Sequence, residues 1–429
     1  MTAMLSDLPL RTSAVWGAFG EVQVIPHRYG RVRGPALRYD NSARRYVWAD
    51  HASAGIIEVY VDGQRSSGWS WRNMQDVTGH AVTMIELTMP TTGIVEAVGF
   101  GKVDSVSGSL LTNPGQIIAD VMTSIAGRSA PDTTWLTYEA AKLGIVCAGQ
   151  IDEAQTIQSA IGAICESVGA TFSPRARSFA RVYPGGLYEG GSASAESGWT
   201  IDLAHVDSAA TSIAGIVNAV TIRFDYRGSE ASRTIELDCP DSIARYGRRE
   251  RTIEARWIAD AHVAYAVAER LLAWRAEPGW QFKASDISHD IRALSVVHWS
   301  GITALPEPES AIVVASLYDP MSRKSEIEFE RLTQAGAAIR LVRQSSTIED
   351  QQVTHAAIQT AGDQRRIKLT NPDGSPLAAA TVLLGGTITR TSDAGGYVSF
   401  PINVTPPGIH TLKITDTAGN VTTLQLLIQ

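Results

Sequence analysis

Residues 238–280, DCPDSIARYGRRERTIEARWIADAHVAYAVAERLLAWRAEPGW, join a basic turn to a capped helix and decide how the middle of the chain folds. Asp260 is a good N-cap because its carboxylate can accept hydrogen bonds from the free amides of a first helical turn. Apolar residues then recur at three- and four-residue spacing as far as Trp274, and Pro278 with Gly279 ends the pattern. The stretch predicts a turn rich in arginine followed by one amphipathic helix.

A strand is expected just before this stretch. Val220, Ile222, Phe224 and Tyr226 alternate with polar residues, which is the period of a strand with one buried face. A strand therefore leads into the Ser-Ile-x-x-Tyr-Gly turn and its helix.

This order of elements resembles the central hub proteins of phage tails and baseplates, over residues 1–345. The residues that carry the resemblance are Ser242, Ile243, Tyr246, Gly247, Arg248, Arg249, Ala264, Ala268, Leu271 and Leu272. It implies a structural hub at the distal end of a tail, in which two similar barrels pack as a homotrimer into a ring of pseudo-sixfold symmetry. The implied partners are distal tail or tube proteins and a central fibre or tip, and DNA would pass through the ring. No internal duplication is detectable in the sequence itself.

The arginines of the turn have two interpretations. Arg248, Arg249 and Arg251 suit contacts between subunits of such a ring. Taken singly, each is better explained as part of a basic patch exposed to solvent.

The first 108 residues are rich in strands and turns. Ile57, Val59 and Val61 alternate with polar residues, and Asp62-Gly63 follows as a hairpin signal. We expect an antiparallel β-barrel or sandwich. Trp69 and Trp71 would share one strand face, where they could stack on a sugar or pack in the core; aromatic enrichment at interfaces favours a subunit contact.

Helical signals begin after residue 108. Asn113 with Pro114 predicts one helix start, Asp152 with Gln155 predicts another, and a helix–hairpin unit follows that also looks like phage hub and tail-tip proteins. The predicted fold class is α+β and rich in β-structure, with antiparallel β-barrel domains, an inserted helix–hairpin region and a C-terminal Ig/transthyretin-like β-sandwich. Its expected ranges are 1–108 for the first barrel, 109–200 for the insertion, 201–343 for the second barrel with helix 260–275, 344–363 for a connector and 364–429 for the sandwich.

The last 66 residues resemble carboxypeptidase-regulatory, transthyretin-like domains. The matching residues are Asp373-Gly374-Ser375-Pro376-Leu377, Ala380-Thr381-Val382 and Thr391-Ser392-Asp393-Ala394-Gly395-Gly396-Tyr397 with Phe400. We expect Val382, Tyr397 and Phe400 to face the core. The resemblance implies a structural or binding module, and a fold alone assigns no ligand.

The net charge and the cysteine content limit the kinds of partner and compartment that fit this chain. The 429 residues carry a net charge of -7, which argues against a general polyanion binder and leaves only transient, non-specific contact with passing DNA. Three widely spaced cysteines suggest synthesis in a reducing cytoplasm, here that of the bacterial host. We expect no signal peptide and no membrane span, and a place in the virion at the tail tip or baseplate.

Residues suited to chemistry are sparse. The sequence contains no nucleophile elbow, phosphate loop or zinc helix, so we expect no catalytic site, metal or cofactor. Glu326, Glu328 and Glu330 alternate along one predicted strand, where a glycosidase could draw its acid and base. An exposed acidic face is the favoured interpretation, and in a hub it would line the lumen and discourage DNA from adhering.

Two other function classes compete with the hub. A tail-associated cell-wall hydrolase would have to hold its catalytic carboxylates outside any lytic motif. A carbohydrate-binding adhesin would use the C-terminal sandwich together with Trp69 or Trp71.

Overall fold

A computed structural model gives the fold, which divides into two compact units, Met1–Arg343 and Gln344–Gln429. The described residues are 6–17, 22–104, 107–173, 180–182, 199–202, 206–213, 215–227, 230–287, 291, 293–300, 309–319, 321–331, 340–346, 355–361, 364–370, 377–384, 388–401, 408–415 and 421–428. Among these residues, no helix is both long and apolar enough to cross a membrane.

Two four-stranded antiparallel sheets build the first part of the larger unit. Its strands are β1 His27–Tyr29, β2 Arg31–Pro35, β3 Leu37–Arg38, β4 Arg45–Ala49, β5 Ser53–Val61, β6 Gln64–Ser66, β7 Trp69–Gln75, β8 Ala81–Leu87 and β9 Val95–Lys102. The sheet orders are β2-β9-β5-β6 and β3-β4-β8-β7. Side chains of both sheets, among them Trp48, Val59 and Ile85, form one buried cluster because alternate residues of each strand turn to a common face.

Neither of these sheets closes into a barrel within the described residues. Closure would need a ladder from β2 into β3 and from β6 into β7, but β3 has two residues and β6 three. Such short edge strands offer too few backbone groups to carry pairing from one sheet to the other. The expected barrel over residues 1–108 is therefore corrected to two open sheets.

The inserted region begins with a helix whose cap the sequence predicts correctly. The side chain of Asn113 accepts a hydrogen bond from the amide of Gly115 at 2.9 Å, and helix α1, Pro114–Asp120, continues into a π-helical turn at Val121–Ile125. The later elements are α2 Thr134–Lys142, β10 Gly149–Ile151, α3 Ile157–Ser167, β11 Ala170–Phe172 and β12 Ala180–Val182.

The predicted start of α3 at Asp152 is wrong. The cap is Thr156, whose hydroxyl accepts from the amide of Ser159 at 3.1 Å. The chain is still extended at Thr156 because this segment bonds to the N-terminal residues, with the Leu8 amide donating to the Gln155 carbonyl at 2.9 Å. Tertiary pairing here overrides a local capping signal.

The second half of the larger unit contains two more open sheets. Its elements are β13 Trp199–Asp202, β14 Val206–Ser212, β15 Ala219–Arg227, β16 Glu230–Asp238, α4 Pro240–Tyr246, β17 Glu250–Ala255, α5 Ala261–Arg275, β18 Gly279–Ile287, β19 Val296–Ser300, β20 Glu309–Asp319, β21 Lys324–Arg331 and β22 Arg340–Ser346. The sheet orders are β17-β15-β16-β22 and β13-β19-β20-β21-β18-β14.

The expected second barrel over 201–343 is also corrected, since neither sheet closes in the part of the chain that the structure describes. Two pairs are parallel rather than antiparallel, β15 with β17 and β13 with β19. Parallel neighbours need a crossover connection, and between β15 and β17 the chain supplies it through β16 and α4.

Helix α5 begins as predicted. The carboxylate of Asp260 accepts from the amide of His262 at 2.7 Å, and the buried Val263, Val267 and Leu272 lie on the face that joins the largest core cluster of the chain. That cluster also contains Ile222 and Phe224 of β15. The core thus unites the inserted helices, α5 and the sheet that precedes the basic turn.

The smaller unit has two sheets of short strands. They are β23 His355–Ala361, β24 Gln364–Thr370, β25 Thr381–Leu384, β26 Ile388–Thr391, β27 Tyr397–Pro401, β28 Gly408–Thr415 and β29 Val421–Ile428, in the orders β23-β24-β27 and β26-β25-β28-β29. Strand β23 falls inside the range 344–363 that was expected to be a connector, and it pairs with β24.

The structure corrects one of the three residues that we expect in the core of the smaller unit. Val382 and Phe400 are buried as expected, together with Val398, while Tyr397 is half-buried. Positions 398 and 400 share a strand face and 397 lies on the other, because the side-chain period of a strand is two. Residues 373–376 of the transthyretin-like pattern lie outside the described residues.

Candidate interaction site

One buried side chain organises the turn that follows β16. Asn218 is fully buried. Its Oδ1 accepts from the Arg249 amide at 2.7 Å, and its Nδ2 donates to the Gly247 carbonyl at 2.7 Å and to the Ser242 hydroxyl at 3.2 Å. The amide of Cys239 also donates to the Asn218 carbonyl, at 2.9 Å. Asn218, which directly precedes β15, thereby binds residues at both the start and the end of α4.

The Ser and Tyr of the Ser-Ile-x-x-Tyr-Gly segment join α4 to the end of α5. The Ser242 hydroxyl donates to the Ala276 carbonyl, which satisfies one of the carbonyls left free at a helix C-terminus. The Tyr246 hydroxyl donates to Glu277 Oε2 at 3.2 Å, and Arg245 donates to Glu277 Oε1 at 2.6 Å. These residues of the segment act through packing and hydrogen bonds within the chain.

Gly247 ends α4 because of its backbone conformation. Its φ is 73° and its ψ is 164°, a combination that is essentially restricted to glycine. The turn that presents the three arginines therefore depends on glycine at this position.

Of the three arginines, Arg248 and Arg249 are held by their own chain. Arg248 has a side chain 40% exposed, and its guanidinium nitrogens lie 2.6 Å from Glu236, 3.4 Å from Glu250 and 3.8 Å from Asp238. Arg249 is half-buried and donates from Nη1 to the Ile213 carbonyl at 2.6 Å.

Arg251 differs because it is exposed on β17 and lines a groove. This groove, called the α5 groove below, runs between α5, β17 and the chain that follows α3. Its residues are Glu166, Val168, Gly169, Ala170, Thr171, Arg251, Ile253, Val267, Arg270, Leu271 and Trp274.

The α5 groove combines an apolar floor with positive charge. Val168, Ile253 and Val267 are buried beneath it, and Leu271 is half-buried. Arg270 Nη1 is buried and makes no hydrogen bond within the described part of the chain, and burial lowers the pKa of this guanidinium against the pull of Glu139 and Glu269. A buried donor without an acceptor is costly, so the groove favours a ligand that brings an anionic oxygen.

Trp69 and Trp71 lie on β7 and are half-buried against the cluster of the first two sheets. Trp69 Nε1 donates to the Ser66 carbonyl at 3.0 Å. Trp71 covers Gly55 of the other sheet, where a Cβ would lie 3.5 Å from Trp71 Cζ2. Both rings thus contribute to packing between the two sheets, and a contact of either ring with another subunit stays a prediction.

The three glutamates of β21 do not share one environment. Glu328 is exposed, and Glu326 lies 2.6 Å from the ammonium of Lys283. Glu330 is only 3% exposed and binds Arg275 through two oxygens, with Nη2 3.1 Å from Oε2. Burial raises the pKa of the Glu330 carboxyl, and the Arg275 guanidinium opposes that rise.

The expectation of a wholly exposed acidic face is therefore corrected at Glu330. The end of α5 covers this residue: Trp274 packs against Leu294 and Ile312 of the six-stranded sheet region, and the Arg275 guanidinium stacks 3.5 Å from the centre of the Trp274 ring. Strand alternation alone cannot reveal a helix that covers part of a sheet face.

Two residues of this region, Asn218 and Glu277, carry weak sequence signals, since the first precedes a strand and the second follows a helix. Arg270 carries a stronger signal: it lies seven residues after Val263 and three after Val267, on the apolar face of the helix, where a charged side chain is unusual. A metal centre has no candidate among the described residues, since no three His, Cys, Asp or Glu side chains cluster suitably.

No family model and no curated protein matches the chain. Among solved structures, the 43 kDa tail protein of prophage MuSo2 from Shewanella oneidensis is similar at 13% identity and a TM-score of 0.31, over 76% of this chain and 98% of that one. The prophage tail protein gp18 from Listeria monocytogenes EGD-e is similar at 9% identity and a TM-score of 0.25, over 72% of this chain and 91% of that one.

Proposed function

We propose that the chain is a structural component of a phage tail, acting as the hub at its distal end. The observation that carries this proposal is the fully satisfied network around Asn218, in which the residues of the hub-like Ser-Ile-x-x-Tyr-Gly segment fix backbone geometry. Such a network serves a rigid scaffold, since a buried, satisfied polar cluster holds its surroundings in one arrangement.

The hub is a homotrimeric ring that joins the tail tube to a central fibre or tip. A ring of identical chains closes when each copy presents one surface to the next copy and a different surface to the previous one. The C-terminal sandwich is the adaptor that faces the fibre or the host. The candidate contacts between subunits of the ring are Arg248, Arg249, Arg251, Trp69 and Trp71.

Protein mass spectrometry of density-purified phage particles tests the tail assignment. The chain should copurify with tail proteins and remain after a high-salt wash that removes loosely bound protein. Its absence from intact particles that contain the other tail proteins would overturn the proposal.

A peptidoglycan-release assay on the purified chain distinguishes a hub from a wall hydrolase. A hydrolase should release soluble fragments, and a hub should release none.

DNA passage gives Glu326 and Glu328 a role as carboxylates that face the lumen. Neutralising both, as Glu326→Gln with Glu328→Gln, should slow DNA ejection at low salt, because passing DNA would then adhere to the wall. An ejection rate equal to that of the wild type, measured by dye uptake into released DNA, would remove the lumen role and leave the tail assignment standing.

A further inference from the structure

The hairpin of β20 and β21 carries large apolar side chains into solvent at its turn. Leu317 is 68% exposed, Met321 is 92% exposed and Tyr318 is 37% exposed. These three residues are called the apolar tip. Exposed side chains of this size, grouped on one protrusion, mark a contact surface more often than isolated ones do.

Charge at the apolar tip matches charge at the α5 groove. Asp319 adjoins the tip with an exposed carboxylate, and Arg323 follows across the turn. The groove offers Arg251 and Arg270 to a carboxylate and the exposed Glu166 to a cation. The carboxylate of Asp319 already accepts from the amides of Met321 and Ser322, and a carboxylate has lone pairs left for a guanidinium.

A chain cannot place its own tip in its own groove. The groove residue Trp274 stacks on Arg275, which binds Glu330. Glu330 is six residues along β21 from Lys324, where the turn ends, so the tip lies about 20 Å from that end of the groove. Strand β21 is paired on both sides, with β18 and β20, so the hairpin cannot fold back.

We propose that the apolar tip of one copy docks in the α5 groove of a second copy of this chain. This inference rests on the proposed ring and names its contact surface. The contact joins two different surfaces, so it is heterologous, and repetition closes a ring when the rotation between copies allows it. Leu317 and Met321 cover the apolar floor, while Asp319 meets Arg251 and Arg270.

The test uses the full chain and light scattering after size exclusion over a range of protein concentrations. The wild type should assemble to a multiple of the 46.0 kDa of one chain. A tip variant, Leu317→Asp with Met321→Asp, should weaken association by about 30-fold or more, as loss of a central apolar anchor does. Val77→Asp is the matched control, since Val77 is 73% exposed on a different hairpin, and it should assemble like the wild type.

Two groove variants keep the test independent of folding. Arg251→Glu reverses an exposed charge, and Thr171→Trp places a ring in the groove from an exposed strand position. Each should be monomeric with an unchanged circular dichroism spectrum. In an equimolar mixture, the tip variant still has an intact groove and Arg251→Glu still has an intact tip. These two surfaces can form one contact, so the mixture should give a two-chain species and nothing larger.

A wild type that stays monomeric at high concentration would overturn this inference, as would a tip variant that assembles like Val77→Asp, or a mixture that gives no two-chain species. None of these results bears on whether the chain is found in phage particles. Assembly of the wild type without the chain in particles would instead contradict the tail function and leave the contact intact.

Discussion

At the residue scale, Asn218 makes three side-chain hydrogen bonds to residues 24 to 31 positions later in the chain. The amide side chain is suited to this place because it offers a donor and an acceptor side by side. It binds the backbone at two neighbouring positions, because it accepts from the Arg249 amide and donates to the Gly247 carbonyl. The exposed arginines of the turn are positioned by this buried residue.

Asn218→Ala should lower the free energy of unfolding by about 2–4 kcal/mol, because the buried Ser242 hydroxyl and the partly buried Arg249 amide and Gly247 carbonyl all lose a partner. Urea denaturation followed by tryptophan fluorescence measures the change. Asn41→Ala, at an exposed position, is the control and should cost less than about 0.5 kcal/mol. Equal losses for the two variants would show that the network adds nothing to stability.

His51 is a second buried polar residue. Its Nδ1 lies 3.0 Å from the Ala52 carbonyl, and its Nε2 lies 3.0 Å from the Arg28 amide. These contacts fit a tautomer that donates from Nδ1 and accepts at Nε2. Burial lowers the pKa of His51 from 6.5 to about 4. A proton on Nε2 would also point at the N–H of Arg28, so the hydrogen bond between them would be lost.

Because the pKa of His51 is lower in the folded chain, the unfolded chain takes up the proton first as the pH falls. The stability held above the unfolded pKa of 6.5 is therefore lost progressively down to the folded pKa of about 4, by about 3 kcal/mol. His51→Gln keeps a donor and an acceptor without titrating. Its unfolding free energy should fall less steeply between about pH 7 and pH 4, and an identical slope in the two proteins would contradict this assignment.

At the element scale, the C-terminal end of α5 connects three parts of the larger unit. The Ala276 carbonyl accepts a hydrogen bond from the Ser242 hydroxyl of α4, and the Glu277 carboxylate accepts from Arg245 and Tyr246. Arg275 binds Glu330 of β21. The first of these contacts satisfies a backbone carbonyl that a helix end leaves free, and the others join side chains. The helix thereby fixes the basic turn against the six-stranded sheet.

Glu330→Gln should lower the free energy of unfolding by about 2 kcal/mol, because it removes one partner of a buried ion pair and leaves the Arg275 guanidinium without its carboxylate. Glu328→Gln on the same strand is exposed and should change stability by less than about 0.5 kcal/mol. Thermal and urea denaturation of both variants gives the comparison. A Glu328 loss as large as that at Glu330 would place both residues in the same environment.

The elements of this chain show what sequence patterns can and cannot predict. Asn113 and Asp260 mark helix starts because a cap depends only on the next two or three residues. Asp152 fails as a cap because the residues that follow it bond to the N-terminal segment, more than a hundred positions away, with the Leu8 amide donating to the Gln155 carbonyl. The buried face of β15 follows from its alternation, whereas the cover over Glu330 depends on where α5 ends in space.

At the scale of the whole molecule, β-rich composition and turn spacing predict the fold class but not the closure of sheets. Closure depends on whether edge strands are long enough to continue a ladder, and β3 and β6 are too short. The α5 groove brings together residues from 166 to 274, so no local pattern could have found it. Of the groove residues, only Arg251 is a contact residue that the sequence predicts, and that prediction rests on the hub resemblance.

The proposed contact of the apolar tip with the α5 groove would have to overcome repulsion between copies. Each chain carries a net charge of -7, and like charges oppose association. Salt screens both this repulsion and the attraction of Asp319 to Arg251 and Arg270, whereas it does not weaken the burial of Leu317 and Met321. An assembly that rests mainly on the apolar tip should therefore persist at high salt. Light scattering at low and high salt measures this, and dissociation at high salt would indicate an assembly held mainly by surface charge.

Immunogold labelling of intact phage particles, with antibodies raised against the purified chain, shows where in the particle the chain lies. A hub should be labelled at the end of the tail distal to the head, with no label on heads or along the tail shaft. Particles lacking an intact gene for the chain serve as the control and should carry no label. Label confined to heads, or absent from intact tails that bind antibodies to other tail proteins, would contradict the account.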